Sequence, residues 1–152
     1  MPTPDEVPRL PVFGWHALNG PRIASLPSVL DAPHTQLTTS GRAAIALALR
    51  VLDVRSGDRV LVPTYHCPTM IAPVVGCGGQ PLFYPIDAQG NADIGWLEKA
   101  DTRGVRALLA AHYFGIPRSF SALRAFCDAR GIALIEDCAH ALFGRSEGRP
   151  IG

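Results

Sequence analysis

Gly131-Ile132-Ala133-Leu134-Ile135-Glu136-Asp137-Cys138-Ala139-His140 is the stretch whose reading decides the fold. Ile132 to Ile135 is an apolar run with no polar alternation, which predicts a strand buried on both faces, as in a parallel sheet. Two acids, a small residue pair and a histidine follow directly. Open α/β sheets bind ligands outside the carboxyl ends of their strands, so Asp137 and His140 stand where such a sheet places its chemistry.

Working backwards from this strand, the same kind of unit recurs. Ser119 to Ala129 reads as an amphipathic helix with Ser119 as its cap and Leu123, Phe126 and Cys127 inward, closed by Gly131. Val105 to Ala111 is another buried strand and delivers His112-Tyr113-Phe114-Gly115 to the sheet edge. Ala92 to Ala100 reads as a surface helix with Trp96 and Leu97 inward and with Glu98, Lys99 and Asp101 on its solvated face. Pro81 to Ile86 is a short strand and Asp87 to Asn91 a turn. Met70, Ile71, Val74 and Val75 give a helix led by Pro68 and stopped by Gly76, Gly78 and Gly79. Arg59 to Pro63 is a strand that leads into Thr64-Tyr65-His66-Cys67. Those three side chains from Tyr65 onward are either ligand contacts or a loop packed over the sheet.

Ahead of that strand lies Thr38-Thr39-Ser40-Gly41-Arg42, then the run Ala43 to Leu52, apolar almost all round, which predicts a buried helix. Ser40 is a natural N-cap, and a helix N-terminus suits a phosphate; a well-capped helix without a ligand fits the same five residues. Beyond the organising strand, Ala141 to Gly152 predicts a hairpin turning near Glu147-Gly148. The alternation of helix and strand specifies an α/β domain with helices packed on a mostly parallel sheet and right-handed connections.

Residues 1–36 carry seven prolines from Pro2 to Pro33 and show no clear period. They read as an extended arm over the domain, with a helical turn near Pro27 to Leu30, or as a disordered tail. Residues 37–152 then form the domain proper. Neither G-x-G-x-x-G nor G-x-x-x-x-G-K-[ST] occurs. At 152 residues, 47% hydrophobic and 18% charged, the chain is long enough for one real core. A net charge of +1 gives no electrostatic case for nucleic acid or an anionic membrane. With no apolar run of membrane length and no secretory signal pattern, the cytoplasm is the expected location. Cys67, Cys77, Cys127 and Cys138 include no C-x-x-C pair, so neither a metal site nor a redox dithiol is expected, and free thiols are.

Four stretches in fixed order carry a resemblance: Ser40-Gly41-Arg42-Ala43-Ala44, Val62-Pro63-Thr64-Tyr65, His112-Tyr113-Phe114-Gly115, and Ile135-Glu136-Asp137-Cys138-Ala139-His140. Together with Gly144 to Gly152 they resemble the pyridoxal-phosphate sugar aminotransferases of the DegT/DnrJ/EryC1/StrS family, over roughly residues 37 to 152. The resemblance implies part of the large, cofactor-binding domain of a type I aminotransferase fold. It implies that Ser40, Gly41 and Arg42 hold the cofactor phosphate, that Asp137 pairs with the pyridine nitrogen, and that His140 lies close to the ring. The family's ring-stacking aromatic falls at Cys67, leaving Tyr65 or His66 as substitutes. Asp137 also fits a cap or structural ion pair, and His140 and His112 fit hydrogen-bonded structural histidines. The implied reaction moves an amino group from a donor such as glutamate to a keto group on a nucleotide-linked sugar, in a homodimer.

That chemistry needs a Schiff-base lysine. The only lysine here is Lys99, on a predicted solvated helix away from every matching motif. The expected forms are therefore a truncated enzyme inactive alone, a half whose lysine comes from another polypeptide, or a non-catalytic module that keeps phosphate-ligand binding or an interaction role. An unrelated thiol-dependent α/β enzyme using Cys67 or Cys138 is a further alternative.

Overall fold

The computed structural model describes residues 27–152; the part of the arm that precedes Pro27 lies outside the described residues. Four parallel strands form the sheet: β1 (Arg59–Pro63), β2 (Gln80–Tyr84), β3 (Val105–Ala111) and β4 (Ala133–Asp137), in the order β2-β1-β3-β4. Four helices cover it: α1 (Gly41–Val51), α2 (Pro68–Gly76), α3 (Ile94–Lys99) and α4 (Ser121–Asp128).

Strand side chains alternate between the two faces of a sheet, and two cores result. Val60, Val62, Ala107 and Leu109 pack with Ile45 and Leu49 of α1 and Met70 and Val74 of α2. Leu61, Leu108 and Ala110 pack with Leu97 of α3 and Leu123, Phe126 and Cys127 of α4. Carried along β4, the alternation puts Ala133 and Ile135 on the α1/α2 side and Leu134 on the α3/α4 side. Asp137 therefore continues on the side of α1, and Glu136 on the opposite side.

The chain reverses its direction of strand addition between β1 and β3. In open α/β sheets that switch point is where the carboxyl ends leave a crevice. The loops after β1, β3 and β4 all discharge into this region.

Several expectations need correction. β4 is not fully buried on its faces: every residue from Ala133 to Asp137 is half-buried, and the strand is the last in the order and pairs only with β3 among the described residues. Its apolar run reads like a central strand because helices pack on its faces, while one backbone edge stays unpaired among the described residues. Nor is α1 buried all round. Ile45 and Leu49, one helical turn apart, face the sheet, whereas Val51 is 77% exposed and Leu47 is exposed too. α3 spans only Ile94–Lys99 because the Asp93 carboxylate accepts the Trp96 N–H at 2.9 Å and fixes the start there. Leu97 is buried as expected, but Trp96 is exposed. α4 starts at Ser121 with Phe120, not Ser119, at the cap position; the Ser119 hydroxyl instead accepts the Ser121 N–H at 3.3 Å.

The terminal turn and the hairpin fall where the sequence places them. A 3-10 turn covers Val29–Asp31, with a full capping box between Ser28 and Asp31. It lies against the chain after β4 through Val29 N–H to Leu142 O at 3.1 Å and Gly144 N–H to Pro27 O at 3.0 Å. The hairpin pairs β5 (Arg145–Ser146) with β6 (Arg149–Pro150). Its turn residues Glu147 (φ 51) and Gly148 (φ 78) are both left-handed, as a two-residue primed turn requires. All four cysteines are free. Among the described residues no helix is long and apolar enough to cross a membrane.

Candidate functional site

The N-terminus of α1 comes first, because its geometry follows from one residue. Ser40 is extended, and its hydroxyl accepts the Ala43 N–H at 3.2 Å while its carbonyl accepts the Ala44 N–H at 3.0 Å. The Gly41 and Arg42 N–H groups precede the first intrahelical bond and have no acceptor among the described residues. A Cβ built on Gly41 would meet nothing within 4 Å, so the space before this helix end is open.

Opposite it stands the end of β4. Asp137 Oδ1 accepts the Ala139 N–H at 2.9 Å, which turns the chain out of the strand, and Oδ2 accepts nothing from the described residues. The loop after β3 is tied down beside it. The Tyr113 hydroxyl donates to the Tyr65 carbonyl at 2.6 Å, and the Phe114 N–H donates to His140 Nδ1 at 3.3 Å. When neutral, His140 then carries its proton on Nε2. Burial, then the Asp137 charge, pushes the Tyr113 phenol up to about 12, an electrostatic sign that the two side chains converge.

After β1, three consecutive side chains part company. Tyr65 packs edge-on against Tyr113 at 5.5 Å between centroids. His66 stacks on Phe83 at 5.0 Å, with Nδ1 donating to the Pro63 carbonyl at 2.8 Å. Cys67 sits at the N-cap of α2, hydrogen-bonded to the Thr69 hydroxyl. That bond lowers the Cys67 thiol pKa against the opposing effect of burial, helped by the Thr69 and Met70 N–H groups.

These groups enclose one cavity of about 480 Å³, within the range of small-molecule sites, roughly 300–1,000 Å³. Its wall includes every residue that the resemblance places at the cofactor: Ser40, Gly41, Arg42, Tyr65, Cys67, Asp137 and His140. Ile45, Thr69, Met70 and Ala139 line it as well and were not foreseen. Only Thr69 had a legible signal, a hydroxyl in the first turn of a helix led by Pro68. Lys99 is not in the wall; it ends α3 on the other side of the sheet and is exposed.

The model of the DegT/DnrJ/EryC1/StrS aminotransferase family matches residues 14–152. The chain belongs to that family. This family match begins upstream of residue 37, so it takes in part of the proline-rich arm as well. Among relatives, the chain is 35% identical over 130 residues to the dTDP-3-amino-3,4,6-trideoxy-alpha-D-glucose transaminase of Streptomyces venezuelae, covering 85% of this chain and 34% of that protein. It is 28% identical over 144 residues to the GDP-perosamine synthase of Vibrio cholerae, covering 91% of this chain and 39% of the relative. Among solved structures it resembles Bacillus subtilis NtdA with bound cofactor PMP, at a TM-score of 0.67 and 26% identity, over 73% of this chain and 26% of that one. The DegT-family chain thus spans well under half the length of the proteins it matches, and the match to NtdA bears out the α/β fold.

A second cluster runs from His112, which also lines the cavity, to Glu136 on the other face of the sheet. His112 is 1% exposed and stacks on Phe120. Its Nδ1 accepts the Arg118 N–H at 3.0 Å, so Nε2 carries the proton and donates to Glu136 Oε2 at 3.4 Å. Glu136 Oε2 also accepts the Gly152 N–H at 3.2 Å. The His112 bond, against burial, lowers the Glu136 pKa. Cys138 lies close to both, but burial pushes its thiol up to about 11. A metal on Nε2 would need Nδ1 to take the proton and face the Arg118 N–H donor to donor, so this trio is built as a structural tie rather than a metal site.

Proposed function

We propose that these residues form the cofactor-holding part of a pyridoxal-phosphate-dependent aminotransferase that moves an amino group from a donor such as glutamate to a keto group of a nucleotide-linked sugar. The observation that carries this reading is the pairing, in one cavity, of unclaimed helix N–H groups at Gly41 and Arg42 with an unclaimed carboxylate oxygen on Asp137. The first suits a phosphate dianion, through N–H donors and the positive helix end. The second suits a protonated ring nitrogen, since a carboxylate beside it favours the charged form. Pyridoxal phosphate carries both groups on one ring, and when bound it supplies the electron sink for amino transfer.

In this reading the chain's own residues bind and orient. Ser40 fixes the helix start so that two amides face the phosphate. Asp137 holds the ring nitrogen with Oδ2 while Oδ1 remains in its turn. Cys67 and Tyr65 border the ring, and His140, held by Phe114, offers Nε2–H to the cofactor's polar substituents. The sugar class is supported by the two relatives, a GDP-perosamine synthase and a dTDP-3-amino-3,4,6-trideoxy-alpha-D-glucose transaminase, both named for nucleotide-linked sugars. Lys99 lies outside the cavity wall, so these residues hold the cofactor without supplying the amine that transfer requires.

The test is equilibrium dialysis of pyridoxal phosphate against the purified chain and its Asp137→Ala variant. Losing a charge-assisted hydrogen bond of about 1.5–3 kcal/mol weakens binding by about ten- to a hundredfold. Borohydride treatment leaves no pyridoxyl group on Lys99 by peptide mass mapping. Equal affinity in the two proteins, or no binding at millimolar cofactor, overturns the reading.

A further inference from the structure

Asp137 is the last residue of β4, a strand paired on one side alone among the described residues. The tip of a strand held along one edge is the part most able to twist away from its neighbours. Such a twist would swing the Asp137 carboxylate off its heading toward the cavity.

One residue grips that tip twice. The paired register of β3 and β4 ends at Ala111 and Asp137. One step beyond it, the His112 backbone N–H donates to the Asp137 carbonyl at 3.1 Å. The His112 imidazole then reaches the preceding residue, with Nε2 donating to Glu136 Oε2 at 3.4 Å. Glu136 and Asp137 point to opposite faces, so fixing the first side chain fixes the rotation of the strand and with it the direction of the second.

The imidazole is itself held. It is buried, stacks on Phe120 at 4.5 Å between centroids, and accepts the Arg118 N–H on Nδ1 at 3.0 Å. That bond commits the proton to Nε2, so the ring meets Glu136 as a donor. From the other side the Gly152 N–H donates to the same Glu136 oxygen at 3.2 Å. Leu134, two residues earlier on this face, packs into the apolar core. A carboxylate at position 136 gives up part of its solvation to make directed bonds instead, and direction is what an apolar side chain lacks.

We propose that His112 is a positioning residue for the cofactor's ring nitrogen: through Glu136, on the far face of the sheet, it sets the rotation of the β4 tip at which Asp137 Oδ2 faces the cavity. The inference rests on the aminotransferase reading above. It adds to the site a residue, Glu136, that lies outside the cavity wall.

The test is equilibrium dialysis of two ligands against the purified chain: pyridoxal phosphate, and benzyl phosphate, which has the phosphate and an aromatic ring but no ring nitrogen. Glu136→Ala and His112→Asn both break the tie, because the shorter amide of Asn keeps an acceptor for Arg118 but stops short of Glu136. Each weakens pyridoxal phosphate by about tenfold and leaves benzyl phosphate within about twofold. His112→Gln, whose amide nitrogen reaches about as far as Nε2, regains most of the loss. In the Asp137→Ala background neither break weakens pyridoxal phosphate further. Where His112→Asn fails to fold, Glu136→Ala decides alone. Equal losses for the two ligands overturn the proposal in favour of a general loosening of the fold. A loss in His112→Asn that Glu136→Ala does not share overturns it in favour of direct contact between His112 and the ligand. Unchanged affinity, or losses that add fully to that of Asp137→Ala, also overturn it. If wild-type chain does not prefer pyridoxal phosphate, or Asp137→Ala leaves that preference intact, the aminotransferase reading falls and this inference with it. A preference that Asp137→Ala abolishes and Glu136→Ala spares removes this inference alone.

Discussion

At the scale of single residues, the four thiols of this chain should separate cleanly by chemistry. Cys67 is exposed and its thiol is eased toward ionisation by Thr69, whereas burial pushes Cys127 and Cys138 up to about 11. Since the thiolate is the nucleophile, iodoacetamide at pH 8 should alkylate Cys67 first, with the order read by peptide mass spectrometry. Bound pyridoxal phosphate should slow that reaction, because Cys67 borders the proposed site. Glu136 yields a pH prediction. Its folded pKa lies below the ordinary glutamate value because His112 donates to the carboxylate. A depressed carboxylate contributes stability that is full above its unfolded pKa and is lost as pH falls through the folded one. Wild-type chain should therefore lose urea stability below about pH 4.5, and Glu136→Gln should flatten that part of the profile while being less stable at pH 7.

At the scale of elements, α1 carries two separable tasks. Leu49 is fully buried against the sheet, and Leu49→Ala should cost about 2–5 kcal/mol of unfolding free energy. Ser40→Ala should cost about 1 kcal/mol through loss of the cap, and Ser40→Gly only a few tenths; both are measurable by urea titration. That Glu136 and Asp137 face opposite sides of the sheet follows from strand alternation, but which of them faces α1 comes from the packing of the two cores. The alignment of Ser40, Tyr65 and Asp137 along one sheet edge was legible, since each follows or precedes a periodic segment. The edge position of β4 was not. An apolar run records what packs on a strand's faces and is silent about its backbone neighbours. Nor could the sequence place Trp96 outward, because a six-residue helix offers too few turns for its buried stripe to be located. The tie from His112 to Glu136 was hidden too, being a contact between residues 24 apart in sequence.

At the scale of the whole molecule, apolar surface stands uncovered among the described residues. Val51 and Leu47 face outward on α1, and β4 offers unpaired amides and carbonyls beside half-buried Leu134 and Ile135. Such surfaces mark contacts with further protein. The chain should therefore associate as its concentration rises, measured by sedimentation velocity. The double variant Leu47→Lys, Val51→Lys should reduce that association while changing stability by no more than about 0.5 kcal/mol per site.

The opposed headings of Glu136 and Asp137 make this strand intolerant of a change in length. Deleting one residue between Ala133 and Ile135 would turn the two neighbours inside out, sending the ligand's acid beneath the sheet and the loop's anchor into open space. An insertion or deletion scan should consequently find this segment far less forgiving than any substitution scan suggests, because what is inherited here is a reading frame of faces as much as a set of side chains.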